Sequence, residues 1–93
     1  MFHVILATRS VGQCLDPNGV RETEGQVYIS GNYTESGCIK ACWNINVNAT
    51  GCEHRNDAGY TAGGECLYHK LPLSKGDGNP RHTCWVFNKG LYS

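Results

Sequence analysis

Ser36-Gly37-Cys38-Ile39-Lys40-Ala41-Cys42, followed by Ala49-Thr50-Gly51-Cys52-Glu53-His54, is the stretch that decides the fold. Cys38 and Cys42 are spaced four apart, which places both sulfurs on one face of a helix. The spacing and the flanking residues predict that helix from about Thr34 to about Asn46. Thr34 or Ser36 supplies an N-cap, and Glu35 suits the positive end of the helix dipole. Ala41 and Ile45 complete an apolar stripe with the two cysteines. Asn44, Asn46 and Asn48 are poor helix formers, and Gly51 closes the connection into a strand. Bridging Cys38 to Cys42 would strain the helix, so each is expected to reach a strand beneath it. Cys52 and Cys66 are the strand cysteines available, in an order that spacing leaves open. Cys14 and Cys84 then remain to tie the two ends of the chain.

Working outward, short alternating segments separated by glycines surround this helix. Phe2, Val4 and Leu6 alternate with His3, Ile5 and Ala7, a first strand over residues 2–7 that is apolar on both faces. Cys14-Leu15-Asp16-Pro17-Asn18-Gly19 ends a strand in a turn. Gln26–Ser30 is expected to bury Val27 and Ile29. After the helix come strands over Gly51–Asn56, Glu65–Lys70 and Thr83–Asn88. Two long glycine-bearing loops connect them, over residues 57–64 and 73–82, and loops of this kind are where binding residues sit.

Length and cysteine content bound the rest. A chain of 93 residues holds one domain with a small core, and six cysteines in it point to a scaffold stapled by disulfides. The even count leaves no obligatory free thiol. Two sequons, Asn32-Tyr33-Thr34 and Asn48-Ala49-Thr50, add N-glycosylation sites at Asn32 and Asn48 in expected loops and favour a secreted, extracellular protein. The apolar run over residues 1–7 is too short for a signal-peptide core or a membrane span. A signal is therefore expected to have been removed ahead of it, or the chain is one segment of a longer one. Eight basic and eight acidic residues, scattered singly, give a net charge of zero. Without a basic stripe, nucleic acid and acidic membrane surfaces are not the expected partners.

Ser36–Cys42, Ala49–His54 and Gly64-Glu65-Cys66-Leu67-Tyr68, flanked by Cys14 and Cys84, resemble the PAN/apple superfamily over about residues 11 to 88. The resemblance implies an α+β fold, a curved antiparallel sheet packed on one helix. It also implies the pairing Cys14–Cys84, Cys38–Cys66 and Cys42–Cys52. Members of that family bind proteins or carbohydrates and are not catalytic on their own. Residues 11–93 then form the PAN/apple-like domain, and residues 1–10 an N-terminal strand or extension ahead of where the family's domain usually begins.

Candidate chemistry is sparse. Cys52-Glu53-His54 and His82-Thr83-Cys84 bring thiols and imidazoles together, but at no zinc-finger spacing, and disulfides are the simpler assignment. No metal or cofactor is expected, and no nucleophile with its base or paired acid and base marks an enzyme. Lys75-Gly76-Asp77-Gly78-Asn79 offers one carboxylate and reads as a glycine-rich turn rather than a calcium loop. The four histidines, His3, His54, His69 and His82, are expected to face solvent for the most part, and Trp43 and Trp85 to pack on the core. Tyr60, near Arg55, Asn56 and Asp57, is the candidate ligand site, an aromatic face flanked by planar polar groups. The expected function is therefore extracellular, non-enzymatic recognition of carbohydrate or protein. The alternative is a glycosylated subunit of an extracellular filament or matrix, self-assembling through Phe2, Val4, Ile5 and Leu6 by strand addition to a neighbouring copy.

Overall fold

The computed structural model describes residues 6–45, 48–56 and 63–88. Its elements run β1 (Ala7–Val11), β2 (Gln26–Tyr33), α1 (Glu35–Ile45), β3 (Gly51–Arg55), β4 (Gly64–His69) and β5 (His82–Phe87). The strands form one antiparallel sheet in the order β1-β5-β3-β4-β2. This is the expected α+β arrangement of one helix on an antiparallel sheet. Most of the strand expected over residues 2–7 lies outside the described residues. The observed edge strand β1 is centred further on, on Thr8-Arg9-Ser10, and runs across the expected boundary between residues 10 and 11.

Side chains alternate along each strand, so cross-strand register sorts them into two layers. Cys52, Cys66, Trp85 and Phe87 point to the helix side. There Cys38 of α1 is bridged to Cys66 of β4 and Cys42 to Cys52 of β3. All four cysteines are fully buried, with Ile29, Tyr33 and Ile39 packed around them. Trp43 is half-buried against the edge of Phe87, ring centroids 5.1 Å apart, and Trp85 is buried, so both tryptophans serve the core. Ile45, expected in the apolar stripe, is instead exposed at the last residue of the helix.

Thr34 caps α1: its Oγ1 accepts the Gly37 N–H at 3.1 Å. Thr34→Ala is expected to lower stability by about 1 kcal/mol in a urea titration, while Ser36→Ala, which removes no cap, stays within about 0.5 kcal/mol. Arg9 of β1 forks onto the Glu35 carboxylate at 3.1 Å, an exposed pair across the sheet edge.

The opposite face of the sheet is covered by chain without helix or strand. Segment 12–16 pairs with segment 74–78 through Leu15 N–H to Lys75 O (2.8 Å), Ser74 N–H to Leu15 O (2.8 Å) and Asp77 N–H to Gln13 O (3.0 Å). Cys14–Cys84 pins this cover to β5. The loop expected to stand open over residues 73–82 is thus stitched to the body. Asp77 completes its turn, with Oδ1 accepting the N–H groups of Gln13 (2.9 Å) and Asn79 (3.0 Å). The turn read at Pro17-Asn18-Gly19 is present. Gly19 N–H donates to Asp16 O, Asp16 Oδ1 accepts from Asn18 and Val20, and Gly19 adopts φ +81°, which a Cβ would resist.

Candidate functional site: a buried ionic layer beside an open groove

The strand alternation that sends Cys52 and Cys66 toward the helix sends Glu53, Arg55, Leu67 and His69 to the other side. Glu53 is fully buried at the centre of that face. Its Oε1 accepts the Cys14 N–H (3.0 Å) and lies 3.1 Å from His69 Nε2, while its Oε2 accepts Arg55 Nε–H at 2.6 Å. Arg55 extends to β2, donating from Nη1 to Tyr28 Oη (2.6 Å) and from Nη2 to Gln26 Oε1 (3.0 Å). The other nitrogen of His69, Nδ1, lies 2.8 Å from Glu22 Oε1. Glu22, in the segment leading to β2, also accepts the Gly25 N–H through Oε2 at 2.7 Å.

Burial pushes the Glu53 carboxyl up, but the hydrogen bonds from His69, Arg55 and the Cys14 N–H outweigh it and hold the group below the usual carboxylate range. Burial likewise disfavours the Arg55 charge, and the Glu53 carboxylate beside it more than compensates, raising the guanidinium above its ordinary value. Each ion is therefore matched by its neighbour, as a buried charge requires. Three of the four histidines, expected to face solvent, are buried: His54 at 4 %, His69 at 0 % and His82 at 4 % exposure. For His54 the reason is on the helix side, where Nε2–H donates to Tyr33 O at 2.6 Å. For His69 it is the pair of carboxylates.

Near the helix N-terminus a smaller cluster forms on the other layer. Thr83 Oγ1–H donates to Glu35, and this bond, opposed by partial burial and helped by Arg9, lowers the Glu35 carboxyl from its ordinary value.

Beside the ionic layer lies an open groove of about 390 Å³ between the 16–24 segment and Leu71-Pro72. Its apolar surface comes from Pro17, Val20, Leu71 and Pro72, with Asp16, Arg21 and Glu24 charged along its length. Val20 and Leu71, 61 % and 41 % exposed, are large aliphatic groups left open there.

The expected ligand residues are not brought together among the described residues. Arg55 is buried, its guanidinium turned inward onto Glu53, Tyr28 and Gln26. Asn56 is exposed at the end of β3, where its N–H bonds Arg81 O (2.8 Å). Asp57 and Tyr60 lie outside the described residues. So do Phe2, Val4 and Ile5 of the assembly set, while Leu6 is half-buried and its carbonyl accepts the Asn88 N–H at 2.9 Å. Asn32 is exposed, though in β2 rather than a loop, at a point where the register with β4 breaks; Asn48 is exposed in a turn. The cysteines of the two Cys-x-His pairs, Cys52 and Cys84, are both spent in disulfides.

The sequence reading missed Glu22, Glu53 and His69 as a set, and Val20 and Leu71 as a surface. Strand parity carried a signal for Glu53 and His69, since each stands one residue out of phase with a cysteine directed to the helix.

Three disulfides in a domain this small are typical of extracellular proteins, and among the described residues no helix is long and apolar enough to cross a membrane. Compared with protein-family models, curated proteins and solved structures, the chain matches none.

Proposed function

We propose that this chain is a secreted, non-enzymatic recognition module of the PAN/apple kind, binding an extracellular carbohydrate or protein on loops held by its disulfide-stapled sheet. The observation that carries the reading is the groove beside Val20 and Leu71. Exposed aliphatic and prolyl surface lies there on segments anchored by Cys14–Cys84 and the Glu22–His69–Glu53 layer. A pre-organised surface of this kind loses little entropy on binding. Sugars are held on an aromatic ring, and the groove is lined by none, so a protein segment is the favoured ligand.

Selection of a displayed random-peptide library on the glycosylated protein tests this. Enriched peptides are expected to lose at least about tenfold in affinity to Val20→Asp or Leu71→Asp, since each anchor side chain is worth about 1.5–3 kcal/mol when buried. Binding on a glycan array with no peptide enrichment would move the ligand to carbohydrate. Failure to bind in both assays would contradict a recognition role.

A second reading, the glycosylated filament subunit, is favoured by the position of β1. It is an edge strand, and it continues directly from the apolar Phe2, Val4, Ile5 and Leu6. Because β1 as described spans Ala7–Val11, the informative truncation removes residues 1–5 and keeps those five. If the reading holds, size exclusion and negative-stain microscopy find assemblies of the full chain and monomers of the truncated one; monomers in both cases would exclude it.

A further inference from the structure

His69 presents both ring nitrogens to carboxylate oxygens, Nδ1 to Glu22 at 2.8 Å and Nε2 to Glu53 at 3.1 Å, with no exposed surface. A neutral imidazole has one N–H and one lone pair. Two ionised carboxylates are satisfied together only by a ring that donates from both ends. With that extra proton, Glu22, Glu53, His69 and Arg55 sum to zero charge; without it they carry one uncompensated negative charge in a buried layer.

The same carboxylate shapes the groove. Glu22 Oε2 accepts the Gly25 N–H and so closes a turn within segment 20–25, and Glu22 Oε1 ties that turn to β4 through His69. The backbone bonds Glu22 N–H to Cys14 O (3.0 Å) and Lys70 N–H to Gly25 O (2.9 Å) hold it on either side. That segment is one wall of the groove, and Leu71, two residues beyond His69, is the other. We propose that the Glu22–His69–Glu53 bridge is a proton latch: the doubly protonated ring locks segment 20–25, and loss of its proton as pH rises releases that wall of the groove. This rests on the groove reading only for its consequence, a ligand held more tightly on the acidic side.

Other ionisable groups on this face are Arg55 from β3, Glu65 from β4, His82 from β5 and Tyr28 from β2, with Asp16, Arg21, Glu24, Lys75 and Asp77 in the covering segments. Arg55 and the Cys14 N–H continue to hold Glu53 after the ring deprotonates. Among the described residues His69 is the one cationic group paired with the Glu22 carboxylate, so the Glu22 end of the bridge is the one that opens.

Long-range ¹⁵N–¹H spectra of the His69 ring, with residue-resolved amide exchange of the full chain from about pH 5 to 9, test the latch without any ligand. Both ring nitrogens are expected to be protonated at the acidic end. Loss of that proton should coincide with at least about a tenfold rise in exchange at residues 20–25, after correction for intrinsic base catalysis, with β3 and β5 unmoved. Glu22→Gln, whose amide can donate to a neutral ring, should abolish the rise; Ser36→Ala, on α1 and on the opposite face of the sheet from the bridge, should keep it. A ring protonated on one nitrogen throughout, or the same rise in Glu22→Gln, would overturn the proposal. A latch that responds in a protein that selects no peptide would leave the latch standing and the groove reading fallen.

Discussion

Full reduction of the protein in native buffer is expected to unfold it at 25 °C, seen as loss of near-ultraviolet circular dichroism. The bridges close sequence separations of 70, 28 and 10 residues. Chain-entropy loss in the unfolded state then makes them worth about 4.5, 3.5 and 2.5 kcal/mol in that order. Together they match the whole stability of a typical domain, about 5–15 kcal/mol. The ranking is a sharper prediction than the total. Cys14→Ala with Cys84→Ala should lose the most in a urea titration, and Cys42→Ala with Cys52→Ala the least of the three pairs. A reversed order would mean that packing in the four-cysteine layer outweighs loop closure.

Glu53→Ala is expected to cost about 3–5 kcal/mol, because it strands two buried partners, the Arg55 guanidinium and the His69 ring, and leaves the Cys14 N–H without its acceptor. Glu53→Gln keeps the shape and removes the charge, so it isolates the electrostatic part. The pH dependence has a definite sign. A carboxyl held below its ordinary 4.5 in the folded protein stabilises the fold fully above that value, and the contribution disappears as pH falls through the folded one. Wild-type stability should therefore fall on acidification below about pH 4.5 more steeply than that of Glu53→Gln. Equal acid limbs in the two proteins would show that Glu53 carries no such linkage.

What could be read from residues alone divides along the sheet. The helix side was legible because cysteines declare themselves: four-residue spacing set Cys38 and Cys42 on one face, and β3, β4 and β5 were placed to within a residue or so by their alternation. The order of pairing came from the PAN/apple resemblance, since spacing alone does not choose between Cys52 and Cys66 as partner of Cys38. The other side was not legible. Arg55 looked like a surface group beside a loop because arginine is normally exposed, yet one residue of phase relative to Cys52 turns it, with Glu53, under a cover built from residues 12–25 and 71–81. His69 shares that phase relative to Cys66, so its burial could have been suspected. Glu22 could not, because it lies in a segment with no strand periodicity, brought to His69 by the pairing of β2 with β4, in which Gln26 faces His69, and by its own N–H bond to Cys14 O. Val20 and Leu71 are far apart in sequence and meet for the same reason.

The centre of the account is the pairing that fixes both layers, and tryptic mapping of the non-reduced, thiol-blocked protein tests it directly. Lys40 separates Cys38 from Cys42, and Arg55 separates Cys52 from Cys66, whereas Cys42 and Cys52 share the fragment 41–55. The swapped pairing is a near neighbour in space, since Cys38 Sγ lies 3.4 Å from Cys52 Sγ and Cys42 Sγ 3.7 Å from Cys66 Sγ. The structure predicts fragment 22–40 joined to 56–70, fragment 10–21 joined to 82–89, and fragment 41–55 closed on itself. Fragments 22–40, 41–55 and 56–70 recovered as one linked set, or a free thiol at Cys38 or Cys42, would contradict it.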